Sequence, residues 1–81
     1  MAIDFEKLIK NIITPLVLHP EDVLIKTLSS GNDITIQVIV NENDLGRVIG
    51  RGGRMASAIR TIAYAGASKE GKHIRIDIDS F

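Results

Sequence analysis

Cysteine and tryptophan are both missing from this sequence, and each absence closes off a class of function. Without cysteine there are no disulfide staples, no thiolate nucleophile and no Cys-type metal site, which fits a reducing compartment such as the cytoplasm. Phe5, Tyr64 and Phe81 are the only aromatic residues, too few for a surface that stacks several bases side by side. No apolar run approaches the roughly 18 residues of a membrane span, and the N-terminus carries acids where a secretory signal has a basic region. The reading is a soluble, unprocessed protein with no membrane role. His19 and His73 lie far apart, so no metal or other cofactor is expected. Asp77 and Asp79 alternate outward along an expected strand as solvated carboxylates rather than a general acid/base pair, and no nucleophile and base stand together. Enzyme chemistry is not expected.

The formal charge of zero conceals a strong polarity. Between Leu45 and Lys69 the cations are Arg47, Arg51, Arg54, Arg60 and Lys69, with no Asp or Glu, so this window carries +5 and the remainder −5. A cationic stretch on an otherwise acidic chain points to a polyanion. Four of the seven glycines and four of the five arginines fall within Gly46–Arg60.

Eighty-one residues make one domain that buries only about 60 to 65% of its unfolded surface, so help from a partner subunit is reasonable. Phe5, Leu8, Ile9, Ile12 and Leu16 have the spacing of a helix burying one stripe, with Asp4 as N-cap. Pro15 predicts a kink or a fresh turn, and Leu18-His19-Pro20 ends the segment. Ile13, Val17 and Leu18 lie off the stripe as surplus apolar residues. Val23–Leu28 reads as a strand entering a turn at Ser29–Asp33, and Ile34–Val40 as an alternating strand antiparallel to it. Ile74, Ile76 and Ile78 mark a third strand with the same habit. Between them, Asn43 caps a helix over Asp44–Ile49, and a second helix begins near Arg54, burying Met55, Ile59, Ile62 and Ala63. Gly66 and Gly71 are expected to stop it. The order helix, strand, strand, helix, helix, strand packs most simply as an α+β domain, a three-stranded sheet with its helices on one face. The last strand should lie parallel to the second, or one position away, after a right-handed crossover.

The glycine-rich stretch fails the phosphate-loop templates. No glycine pair is followed by Lys-Ser or Lys-Thr, and a dinucleotide fingerprint begun at Gly50 meets Met55 where it needs glycine. What fits is Val48-Ile49-Gly50-Arg51-Gly52-Gly53-Arg54, a G-x-x-G loop joining two helices. Glycine lets the backbone reach unusual dihedrals and lets a sugar-phosphate strand approach, while the following helix offers open N–H groups. This string, with Gly46 before it and the strand order around it, resembles the KH domain. The 33 residues before the core strand make the extension N-terminal, as in the type II form. Asp44–Arg54 and Ala58-Ile59-Arg60-Thr61-Ile62 resemble the small stand-alone bacterial KhpA family over essentially the whole chain, with Thr14-Pro15 as a departure in the first helix.

The resemblance implies a single type II KH domain over residues 1–81, with an N-terminal helix-and-strand extension at 1–33 and a strand-helix-helix-strand core at 34–81. It implies binding of single-stranded RNA, an RNA-chaperone or post-transcriptional role, and pairing with itself as a homodimer or with a larger KhpB-like KH protein. The residues expected at the RNA are Gly50, Arg51, Gly52 and Gly53, with Arg47 and Arg54 flanking them and Val48 in the base-binding groove. Ile49 is assigned to the core. Arg60 is either a phosphate contact or plainly solvated, and Tyr64 a surface aromatic or partner contact. The competing reading is a KH-fold interaction module with no RNA binding of its own.

Overall fold

A side-chain cap opens the first element. Asp4 Oδ1 accepts the Lys7 N–H at 3.1 Å, and α1 runs over Phe5–Ile13 with Glu6 in its first turn and Lys10 in its last, each suited to its end of the helix dipole. The structure is a computed structural model and describes residues 3–81. Pro15 has no N–H to continue the ladder, so the chain tightens into a 3-10 turn at Thr14–Leu16. The Thr14 hydroxyl donates to the Lys10 carbonyl at 2.7 Å. The deep line of α1 is Phe5, Ile9 and Ile13, extended by Val17, while Leu8, Ile12 and Leu16 flank it half-buried. Ile13 and Val17 are therefore core residues, not surplus ones. Leu18 alone of that trio is exposed, at 65%.

After a second 3-10 turn at Pro20–Asp22, β1 (Leu24–Ser30) and β2 (Asp33–Val40) pair antiparallel from Leu24↔Ile39 to Ser30↔Asp33. Two residues join them, and Gly31 takes φ +59 at the position where a type II′ hairpin needs it. β3 (His73–Ser80) pairs parallel to β2, from Asp33↔His73 to Val40↔Ser80, so the order is β1-β2-β3 with β2 central. Ile34, Ile36, Val38 and Val40 of β2 are all buried, as the alternation predicts. The opposite sheet face mixes Lys26, Thr35, Gln37, Arg75, Asp77 and Asp79 with the apolar Leu24, Leu28 and Ile39, and no described helix lies over it.

Two helices bridge β2 and β3: the short α2 (Leu45–Ile49) and, after the glycine loop, the longer α3 (Arg54–Lys69). α3 buries Ala56, Ile59, Ala63 and Ala67, with Met55 half-buried and Ile62 50% exposed. The expected face is thus rotated toward the alanines, because small side chains let α3 approach its neighbours closely. At Gly66 a Cβ would lie 2.9 Å from Ile3 Cδ1 and 3.2 Å from the Phe5 ring. Gly66 is accordingly a packing position inside the helix rather than its stop. The stop is Gly71, at φ +69, where Lys72 N–H donates to Ala67 and Gly71 N–H to Ser68 in a Schellman pattern.

Candidate nucleic-acid interface

Asp44 sets the position of the loop-bearing arm. It precedes α2 as its N-cap residue, in place of the expected Asn43, but its carboxylate turns inward and is fully buried. Oδ1 accepts the Leu18 N–H at 3.0 Å and Oδ2 the His19 N–H at 2.9 Å, which fastens the segment after α1 to the start of α2. Burial by itself would raise the pKa of this carboxyl. The two N–H donors, with the charges of His19 and Arg47, outweigh that and hold it below the usual aspartate value. Arg47 Nε lies 3.7 Å from Asp44 Oδ1, so the Arg47 guanidinium is tethered on one side while half its side chain remains exposed.

Within α2 the roles of two neighbours are reversed from expectation. Val48 is fully buried among the core side chains and Ile49 only half-buried. The Val48 side chain therefore cannot line a groove. A five-residue helix shows one side chain squarely inward, and the docking of α2 through Asp44 turns that position to Val48.

The loop itself follows from three positive-φ glycines. Gly50 has φ +78 and ψ 169, a region almost confined to glycine, and a Cβ there would meet Met55 Cβ at 2.7 Å and Met55 N at 2.8 Å. Arg51–Gly53 then form a 3-10 turn closed by Gly53 N–H on the Gly50 carbonyl at 3.1 Å. Arg51, Gly52, Arg47 and Arg54 are exposed, and no side chain caps the N-terminus of α3. Among the described residues no carboxylate pairs with Arg51 or Arg54. The loop, the open end of a 16-residue helix and three arginines are thus on one projecting edge.

Arg60 is not at this edge. Its Nε and Nη2 both donate to the Ile76 carbonyl, at 3.3 and 3.2 Å, bracing α3 against β3. The histidines do not meet. His19 instead lies near Glu21 and Asp22, their ligand atoms all within 4.8 Å of one another, with Asp22 Oδ2 accepting from Asn41 at 3.0 Å. No described helix is long and apolar enough to cross a membrane.

The family model for the KhpA/KhpB KH domain matches residues 6–78. The chain belongs to the KhpA/KhpB KH-domain family. Among its relatives, the RNA-binding protein KhpA of Listeria monocytogenes is 49% identical over 73 residues, covering 90% of this chain and 96% of that one. The Bacillus subtilis RNA-binding protein KhpA is 38% identical over 73 residues, covering 90% of each. In a crystal structure of Era in complex with MgGDPNP and nucleotides of 16S ribosomal RNA, a matching region superposes with a TM-score of 0.57 at 18% identity. It spans 94% of this chain and 29% of that one, a likeness of fold.

Proposed function

We propose that this protein binds single-stranded RNA in the cytoplasm, with the Gly50–Gly53 loop clamping the sugar-phosphate backbone. The observation that carries the reading is the loop's geometry: three positive-φ glycines shape a turn in which Gly52 and Gly53 face open space, beside Arg51 and Arg54, which pair with no carboxylate among the described residues, at the uncapped start of α3. Arg47, held by Asp44, adds a third cation from the α2 side. The names of the KhpA relatives support the same ligand. All of residues 1–81 act as one such KH module in this reading, and the module serves as an RNA chaperone or post-transcriptional regulator.

A clamp of about four nucleotides binds weakly alone, and two linked clamps on one RNA gain up to about 100-fold or more. We therefore include pairing, with a second copy or a larger KhpB-like protein, in the proposal. Leu18, Leu24, Leu28 and Ile62 remain exposed on the described surface, and sedimentation at micromolar concentration checks the self-pairing.

The deciding experiment compares the parent with the double variant Arg51→Asp, Gly52→Asp in RNA titrations over a salt series, with circular dichroism as the folding control. Gly52 has φ +65 but open space around its Cβ position, so the change costs only roughly 1 kcal/mol of left-handed strain. The parent should lose affinity with salt at a logarithmic slope of about −1.4 to −2.1 for two or three neutralised phosphates. The variant should bind hardly at all. A folded variant that binds as tightly as the parent refutes the clamp and favours a protein-interaction module.

A further inference from the structure

The sheet face turned away from the helices carries a second chemistry at one end. Because β1 and β2 are antiparallel and β3 runs parallel to β2, Leu24, Ile39 and Asp79 share one outward row, with Lys26, Gln37 and Asp77 in the row beside it. Past Asp79 the chain is pinned by the Phe81 N–H, which donates to the Val40 carbonyl at 3.1 Å, and the Phe81 residue is left 70% exposed. Phe81, Asp22, Asn41, Glu42 and Asn43 wall an open cavity of about 560 Å³ there. A smaller one, of about 320 Å³, is bordered by Gln37, Ile39, Asp77 and Asp79.

This end of the sheet is apolar and acidic at once. Leu24 and Phe81 are exposed and Ile39 is half-buried, while Asp22, Glu42 and Asp79 pair with no Lys or Arg among the described residues. The two cations of the face, Lys26 and Arg75, lie toward the hairpin, and Arg75 is already engaged with Asp77 at 3.1 Å. Apolar side chains rimmed by unpaired charge are the composition of a protein contact. We propose that this end of the sheet docks a cationic protein segment, whose lysine or arginine side chains face the carboxylates while its apolar side chains cover Phe81, Ile39 and Leu24. Charge selects the occupant. Nucleic acid is repelled here, and a second copy laid with this end on its own would set acid against acid. The loop arginines stand between helices packed on the other face of the sheet, so the two surfaces are separate and the proposal holds whatever the loop binds.

The test titrates the full protein, without RNA, into labelled peptides about as long as β3 and follows anisotropy. The peptides are repeats of Arg-Arg-Leu-Leu, of Glu-Glu-Leu-Leu and of Arg-Arg-Ser-Ser. The first should bind, and bind more weakly as salt rises; the second should not bind, and the third should bind less tightly than the first. The double variant Glu42→Gln, Asp79→Asn should weaken the first peptide by about 2- to 30-fold, the range for two exposed ion pairs. Phe81→Ser should weaken it by roughly 5- to 30-fold, for the burial that its 70% exposure leaves to be gained. Circular dichroism checks that both variants fold, which the exposure of all three side chains leads us to expect. Equal binding of the three peptides, no binding of the first at about 1 mM, or parental affinity in the folded Glu42→Gln, Asp79→Asn variant overturns the site. A parental dimer in sedimentation that Phe81→Ser splits also overturns it, as the mark of a second copy on this face.

Discussion

Replacing Val48 or Ile49 by asparagine separates the two residues cleanly. Val48 has no exposed surface and packs into the core cluster, whereas Ile49 is only half-buried. In Val48→Asn, lost burial costs about 1.5–3 kcal/mol and an amide without partners adds about 1–3, for a total of about 2.5–6 kcal/mol. A domain of this length holds only about 4–12 kcal/mol of net stability, so the loss is about half of it or more. At about 4–8 °C per kcal/mol, the melting temperature should fall by roughly 10–48 °C, or the protein should fail to fold. Ile49→Asn loses about half of an isoleucine's burial and lets the amide reach water, about 1 kcal/mol and roughly 4–8 °C. Thermal melts by circular dichroism, with urea titrations alongside, give both numbers. A Val48→Asn melt within a few degrees of the parent, or an Ile49→Asn protein that collapses while Val48→Asn survives, would falsify the assignment of Val48 as the inward residue of α2.

Gly50→Ala should fold with a displaced loop and lose most of its RNA affinity, because the new Cβ would press within 2.8 Å of Met55 backbone at a φ of +78. We expect a cost of about 2–3 kcal/mol, read from urea unfolding, and affinity like the parent's would show that the loop's shape is irrelevant to binding. Asp44 should make stability acid-sensitive. Its folded-state pKa is lowered, so the ionised carboxylate contributes stability above the unfolded value of about 3.9, and that contribution is lost as the pH falls through the lower folded value. Asp44→Asn should therefore be less stable than the parent at pH 7 and lose less stability between about pH 4 and pH 2; parallel acid profiles for the two proteins would refute this.

The strands and the loop were legible in the sequence because their signals are local. Period-2 alternation at Ile34–Val40 and Ile74–Ile78, and four glycines among arginines, state their environment within a few residues. What escaped depends on partners far along the chain. The buried state of Asp44 depends on two backbone N–H groups 25 and 26 residues earlier, which leave no mark in a sequence. Arg60 likewise bonds a main-chain carbonyl 16 residues on. Val17 seemed surplus because the 3-10 turn at Thr14–Leu16 shifts the angular phase that an unbroken helix would impose, whereas Ile13 stands in regular helix four residues after Ile9 and falls off the stripe only when that is drawn through Ile12 and Leu16. α2 is too short for periodicity to tell Val48 from Ile49. Gly66 looked like a stop because the close approach of Phe5, 61 positions earlier, is a tertiary event.

The parallel pairing of β2 with β3 ties the glycine loop to completion of the whole domain. Ile36 lies opposite Ile76, 40 positions away, while the β1–β2 hairpin closes over two residues. Hairpin pairing has little loop-closure entropy to overcome, whereas the crossover must order both helices and the loop before its ladder repays the loss. During synthesis, a chain that has emerged only as far as Lys69 has made every glycine of the loop but lacks the strand that anchors the crossover. The glycine loop therefore takes its settled place only once β3 has been made, and a ribosome-bound fragment that stops at Lys69 would hold the hairpin without the fixed loop.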